Sequence, residues 1–214
     1  MTASPGKRTP DSPILTTLAA GTSLWRVSRD DTGLAFSSSA RQNRFSPILD
    51  AAGAIVPAWY GATSEAGAIF ESVFHDIRPS HAAPRVMPNQ YIDRVLAPVV
   101  TVRDLNLVDL TTSGLHAIGV SRARLIESTS RMYEWTNEVA ARLRTAAPTA
   151  DGFVWVSRAH DTSLSVVLHA DPGRASMLNV APTGGPLPLD VGSGPALLRA
   201  LATPARITVV VATP

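Results

Sequence analysis

Cysteine is absent from this 214-residue chain, which excludes disulfides, thiolate metal sites and a cysteine nucleophile. Charge is scarce as well. Only 17% of residues are Asp, Glu, Lys or Arg, the formal net charge is +2, and no block of one sign occurs. Nothing in that balance points to direct nucleic-acid binding. No apolar run approaches the ~18 residues that a membrane-spanning helix needs. The first 25 residues are weakly basic but too polar and too broken by proline for a secretory leader. The expected setting is therefore the cytoplasm, away from membranes. Familiar motifs are missing too: there is no GxGxxG after a strand, no GxxxxGK(S/T), no HExxH and no GxSxG. The five histidines, His75, His81, His116, His160 and His169, show no ligand spacing, so no metal site is expected.

What is present is enough to build a core. Hydrophobic residues make up 45% of the chain, which suits one folded domain of this length. Residues 1–20, rich in Ser, Thr, Pro and Gly, read as a mobile arm, leaving 21–214 as a single domain. Alternation predicts strands at Leu24–Ser28, Phe153–Ser157, Ser165–His169 and Ile207–Val211, and one strand, or two separated by a bulge, over Val99–Asp104 and Asn106–Leu110. Ala54–Tyr60 is a further short strand, and Pro57 within it suggests an edge or entry position. Helical spacing of Ala66, Ile69, Phe70, Val73, Phe74 and Ile77 predicts a helix over Ser64–Ile77. A longer one is predicted over Arg122–Arg144, and a short one over Gly194–Ala202. Residues 35–47, 79–90 and 181–188 read as loops. Strands without regular βαβ alternation, around two main helices, indicate an α+β fold.

One segment concentrates chemistry. NRFSPILDAAGAIVPAWYGATSEAGAIFESVFHD, Asn43–Asp76, holds Arg44 in a polar loop, Tyr60 at the end of a strand and Glu71 within the predicted helix. A cationic fork, an aromatic face and a carboxylate are what a site needs to hold a diphosphate and act on the sugar carbon beside it. Each has a plainer explanation when taken singly. Arg44 would be a solvated loop residue, Tyr60 a core ring with its hydroxyl at the rim, and Glu71 a helix-flank carboxylate. Arg26 would pack its stem on Trp25 or pair with an acid of the fold, and Ser157 would cap a turn. His75 would sit near its helix C-terminus, while Arg122, Tyr133 and Trp135 would serve packing and surface. Ser157, His160 and Asp161 are too crowded in one turn to face each other as a triad must.

The ordered run Arg-Phe, Pro-x-x-Tyr and Phe-Glu-x-x-Phe-His-Asp, followed by LVDLTTSG and DGFVWVSRAH, resembles the RES domain over about Leu24–His169. Many members carry a Gly-Gly-Arg-Trp-Asn type loop where this chain has Gln42-Asn43-Arg44-Phe45-Ser46. The resemblance implies an ADP-ribosyltransferase-like mixed β core with flanking helices. It also implies the role of a toxin in a toxin–antitoxin pair that attacks NAD+ and releases nicotinamide. By that match Glu71, Arg44, Tyr60 and Ser157 are the catalytic set. Arg26, Arg44 and Tyr60 are the substrate-binding residues. NAD+ is then the substrate, with water or inorganic phosphate as the second reactant and no cofactor. The implied partner is an Xre-type antitoxin, and self-association as a homodimer is compatible with it. Transfer of ADP-ribose to a macromolecule, and a non-catalytic binding module, stay open as alternatives.

Overall fold

The computed structural model describes residues 13–29, 31–77, 82–171 and 176–211. The strands are β1 (Leu15–Leu18), β2 (Ser23–Ser28), β3 (Ala58–Ala62), β4 (Arg85–Val86), β5 (Val95–Thr101) and β6 (Leu105–Asp109). They continue with β7 (Gly152–Val156), β8 (Leu164–His169), β9 (Leu178–Val180), β10 (Leu187–Pro188) and β11 (Thr208–Val209). The helices are α1 (Glu65–Phe70), α2 (Thr112–Ala117), α3 (Arg122–Leu125), α4 (Tyr133–Ala146) and α5 (Gly194–Ala202). The fold is α+β, as expected. Among the described residues no helix is long and apolar enough to cross a membrane.

Nine strands form one sheet in the order β1-β6-β7-β8-β3-β2-β5-β10, with β9 also on β5. All its pairs are antiparallel except β6–β7, whose parallel pairing requires the crossover that α2, α3 and α4 provide. The sheet curls strongly. Residues 19–22 suffice to join β1 to β2, and residues 102–104 to join β5 to β6, although both pairs are far apart in sheet order. The curl is pinned where Arg103 grips the buried Asp151 with both terminal nitrogens, at 3.0 and 2.6 Å. A bidentate pair of this kind fixes direction as well as distance.

Strand alternation divides the core between the two faces. Leu24, Trp59, Val99, Leu107, Val154, Val166 and Leu168 fill one face. On the other, Ala58, Phe153, Trp155 and Val167 pack against α4 through Val139, Ala140 and Leu143. Farther along the same face, Ala62 and Leu96 meet Ile69 of α1 and Leu198 of α5. β4 and β11 make a separate parallel pair.

Several expectations need correction. Of the supposed arm, residues 1–12 lie outside the described residues, but Leu15–Leu18 is a strand paired along β6. Its backbone covers a ladder edge that would otherwise stand open, which composition does not reveal. Pro57 stands at the entry to β3, one of the two positions expected of it, rather than interrupting the strand; but β3 is central, between β8 and β2, not at an edge. The helix expected to reach Ile77 ends at Phe70; the N–H groups of Val73 and Phe74 both turn back to the Ile69 carbonyl. Val73 and Phe74 are buried anyway, because periodic apolar spacing reports burial and a compact turn satisfies it equally well.

The long helix is broken into α3, a 3-10 turn at Ser130–Met132 and α4. Ser128, Thr129 and Ser130 compete for backbone hydrogen bonds and favour turns over helix interiors. Residues 79–90 are not all loop: 78–81 lie outside the described residues, while Arg85–Val86 pairs with the last strand and Pro88–Gln90 is a 3-10 turn. The strand expected at Ile207–Val211 contracts to Thr208–Val209.

Candidate active site

Glu71 occupies the C-cap of α1, not the helix interior. Ser64 starts that helix, its Oγ accepting the Gly67 N–H at 2.9 Å. Gly67 lets the helix lie close on the sheet, since a Cβ there would stand 2.6 Å from the Ser163 Cβ. The helix therefore delivers Glu71 to the end of β7. There the Ser157 hydroxyl donates to Glu71 Oε1 at 2.6 Å, and the Arg158 backbone N–H donates to the same oxygen at 3.1 Å. Ser157 is fully buried, and its Oγ also accepts the N–H groups of Ala159 and His160, at 3.1 and 2.9 Å. One carboxylate oxygen is thus held by two donors. The other, Oε2, has no partner among the described residues, and Glu71 belongs to the lining of a cleft.

Arg44 is not a solvated loop residue. It is 7% exposed, and its guanidinium donates to Leu125 O (2.9 Å), Ser128 Oγ (2.8 Å) and Ser128 O (3.2 Å). Those acceptors exist because the chain breaks helix between α3 and α4. The interruption that sequence periodicity overlooks is the seat of the arginine. Its charge also lies 5.6 Å from the centre of the Tyr133 ring. Burial lowers its pKa from the ordinary arginine value, and the neighbouring Arg158 acts in the same direction.

Tyr60 anchors the other side of the same loop. Its hydroxyl accepts the Phe45 N–H at 3.2 Å and shares a hydrogen bond with Ser46 Oγ at 3.0 Å. Burial pushes its pKa up to about 12, so the hydroxyl keeps its proton. Phe45 packs edge-on against Trp155 and Phe153, Asn137 donates to Ser46 O at 3.0 Å, and His169 reaches Phe45 O at 3.4 Å. The Gln42–Ser46 loop is thus held from several elements although it lacks regular structure.

Arg26 donates to Ala35 O and stands 5.7 Å from the Trp59 ring centre, so its stacking partner is Trp59 rather than Trp25. Arg26, Arg44, Tyr60 and Glu71 line one cleft of about 260 Å³, together with Trp25, His75, Tyr133, Trp155 and Ser165. Ser157 acts on it from behind Glu71.

Sequence reasoning passed over several of these. Tyr133 faces the cleft rather than serving only packing and surface. His75 accepts from the Arg158 guanidinium at Nε2 (2.8 Å), because arginine can only donate, and pairs through Nδ1 with Asp76 at 2.9 Å. Arg158 itself carried no signal beyond following Ser157. Arg122 donates to the Val156 and Ser157 carbonyls at 3.2 and 3.4 Å and bonds Glu127 at 2.9 Å, so it steadies the strand end. Trp135 takes Arg124 over its ring at 4.2 Å. The Ser157-His160-Asp161 triad does not assemble, for the His160 Nδ1 turns to Ser163 Oγ at 2.7 Å.

A family model, the RES domain, matches residues 23–190. The chain belongs to the RES domain family. The match reaches past His169 to include β9 and β10, farther than the motifs alone suggested. No curated protein matches the sequence. Among solved structures, the fold is similar to one in the crystal structure of the M. tuberculosis MbcT–MbcA toxin–antitoxin complex. The TM-score is 0.52 at 16% identity, covering 87% of this chain and 92% of the other. At that identity the likeness is one of fold.

Proposed function

We propose that this RES-domain protein cleaves the nicotinamide–ribose bond of NAD+ and acts as the toxin of a toxin–antitoxin pair. The observation that carries the proposal is Glu71: Oε1 is pinned by Ser157 and Arg158, and the residue lines a cleft together with Arg44 and aromatic rings. As the C–N bond breaks, its electron pair goes to the pyridinium nitrogen and nicotinamide leaves neutral, while positive charge grows on the ribose. A fixed carboxylate beside the anomeric carbon stabilises that charge, and preorganisation makes it effective because nothing has to rotate during the step. An incoming water, or a phosphate oxygen, then bonds the anomeric carbon, and Glu71 takes the proton that water loses.

Arg44 favours the diphosphate end electrostatically; Arg26 alternates with Trp25 along β2, and its guanidinium lies by Trp59 and Ala35 on the other face of the sheet. The seat of Arg44 in Leu125 and Ser128 makes it a fixed charge more than a mobile clamp. The cleft, at about 260 Å³, lies below the ~300–1,000 Å³ of typical small-molecule sites. It suits the nicotinamide riboside end of the dinucleotide, with the adenosine end outside. The partner is an Xre-type antitoxin that covers the cleft mouth, a role supported by the toxin–antitoxin character of the structural neighbour.

The test is nicotinamide release from NAD+ by the purified protein, with and without phosphate. Glu71→Gln keeps an acceptor for Ser157 and removes only the charge, so kcat should fall by about 100- to 1,000-fold. An unaffected Glu71→Gln variant would refute the mechanism. Dependence on phosphate assigns phosphorolysis, and its absence hydrolysis. Label appearing on macromolecules from labelled NAD+ would assign ADP-ribosyl transfer instead. No turnover combined with antitoxin binding would assign a non-catalytic module.

A further inference from the structure

The floor of the cleft contains a group that the proposed reaction leaves unused. Strand register sets Trp25 opposite Ala62, Ala62 opposite Ser165, and Ser165 opposite Trp155. One row thus crosses β2, β3, β8 and β7 as indole, methyl, hydroxymethyl, indole, and all four residues contribute to the cleft lining. Neighbouring strands are ~4.8 Å apart, so the two indole-bearing backbones stand roughly 14 Å apart with only small side chains between them. That is a slot for a flat ring.

Within the slot, Ser165 is 3% exposed and its Oγ has no hydrogen-bond partner. Buried hydroxyls are nearly always paired, because desolvation without a partner is costly. An unpaired one on a residue that lines a cleft fits a site whose ligand completes the bond. Its place is also close to the reacting centre. The Ser157 N–H donates to Ser163 O at 2.9 Å on the same β7–β8 ladder, which puts Ser165 one diagonal step, about 7 Å, from the serine that holds Glu71.

We infer that Ser165 is a specificity-determining contact for the leaving base, its hydroxyl bonding the carboxamide of a nicotinamide ring lodged between Trp25 and Trp155. This inference rests on the NAD+ assignment above. A serine hydroxyl both donates and accepts, so it can serve the amide oxygen or the amide NH2. The indoles flank the ring, and the polar substituent meets the unpaired hydroxyl on the floor. No bond is made or broken at Ser165, so it binds rather than reacts.

The experiment compares wild type and Ser165→Ala on NAD+ and on a dinucleotide whose base is unsubstituted pyridine. Base release, binding of free nicotinamide and the thermal midpoint are measured for each. Ser165→Ala should raise KM for NAD+ about three- to ten-fold with kcat nearly constant. On the carboxamide-free substrate the two proteins should be equal. The thermal midpoint should hold or rise, since the hydroxyl removed has no protein partner. An unchanged KM for NAD+, or a penalty that persists without the carboxamide, overturns the assignment. So does a lowered midpoint, which would reveal a protein partner for the hydroxyl. Wild-type protein that neither releases nor binds nicotinamide overturns the NAD+ reading and this contact together. NAD+ turnover with an unaffected Ser165→Ala variant overturns the contact alone.

Discussion

Removing the Ser157 hydroxyl tests whether Glu71 works because it is held. In Ser157→Ala, Glu71 Oε1 loses the 2.6 Å bond and keeps only the Arg158 N–H. A hydrogen bond to a charged group is worth about 1.5–3 kcal/mol, and that difference in carboxylate placement corresponds to about a 10- to 100-fold loss in kcat. Ser157 Oγ also accepts two backbone N–H groups, from Ala159 and His160, and these lose their partner as well. The fold should weaken by about 2–4 kcal/mol, which lowers the thermal midpoint by roughly 5–10 °C in a chain of this size. Nicotinamide release, assayed well below that midpoint, separates the two effects.

A double-mutant cycle with Glu71→Gln makes the logic strict. If Ser157 acts through Glu71, Ser157→Ala should cost little further kcat once the carboxylate charge is gone. A full, undiminished penalty in the Glu71→Gln background would refute the positioning role and point to a direct contact between Ser157 and substrate.

Other outcomes follow from the same geometry. Arg44→Lys keeps the charge but cannot reproduce three hydrogen bonds from one planar fork. It should lower the thermal midpoint by about 5–10 °C, as expected for a loss of roughly 2–3 kcal/mol, and weaken NAD+ turnover. A midpoint equal to wild type would contradict a buried seat for this arginine. His169 is 1% exposed, and burial lowers its pKa to about 4. The folded protein therefore binds fewer protons than the unfolded chain between about pH 6.5 and 4. Stability from this group is complete above that window and is lost as pH falls through it, by up to about 3 kcal/mol. Denaturant titrations at pH 7.5 and pH 5 should show the loss, and His169→Phe should flatten it; an equal slope in both proteins would rule His169 out as its source.

Much of the site was legible because it is local. The segment Asn43–Asp76 contains Arg44, Tyr60 and Glu71 in order, and the motif context around Ser157 added the fourth member. The short helix at Gly194–Ala202 and the strands at β2, β7 and β8 were readable from alternation and spacing. Where reading failed, a long-range partner had replaced a local preference. Leu15–Leu18 is a strand only because β6 presents an edge. The helix after Ser64 stops at Phe70 because Val73 and Phe74 find burial in a turn. Ser165 gave no signal at all, since its significance lies in having no partner.

The chain by itself determined the α+β class, the family and the residues worth suspecting, because composition, alternation and motif order are properties of neighbours in sequence. Only the tertiary structure decided what those residues do to one another. It broke the long helix so that Leu125 and Ser128 could receive Arg44. It also brought Ser157 across 86 residues to grip one oxygen of Glu71, a residue that lines the cleft. The physical reason is that hydrogen bonds and desolvation act over a few ångströms of space, whatever the separation along the chain.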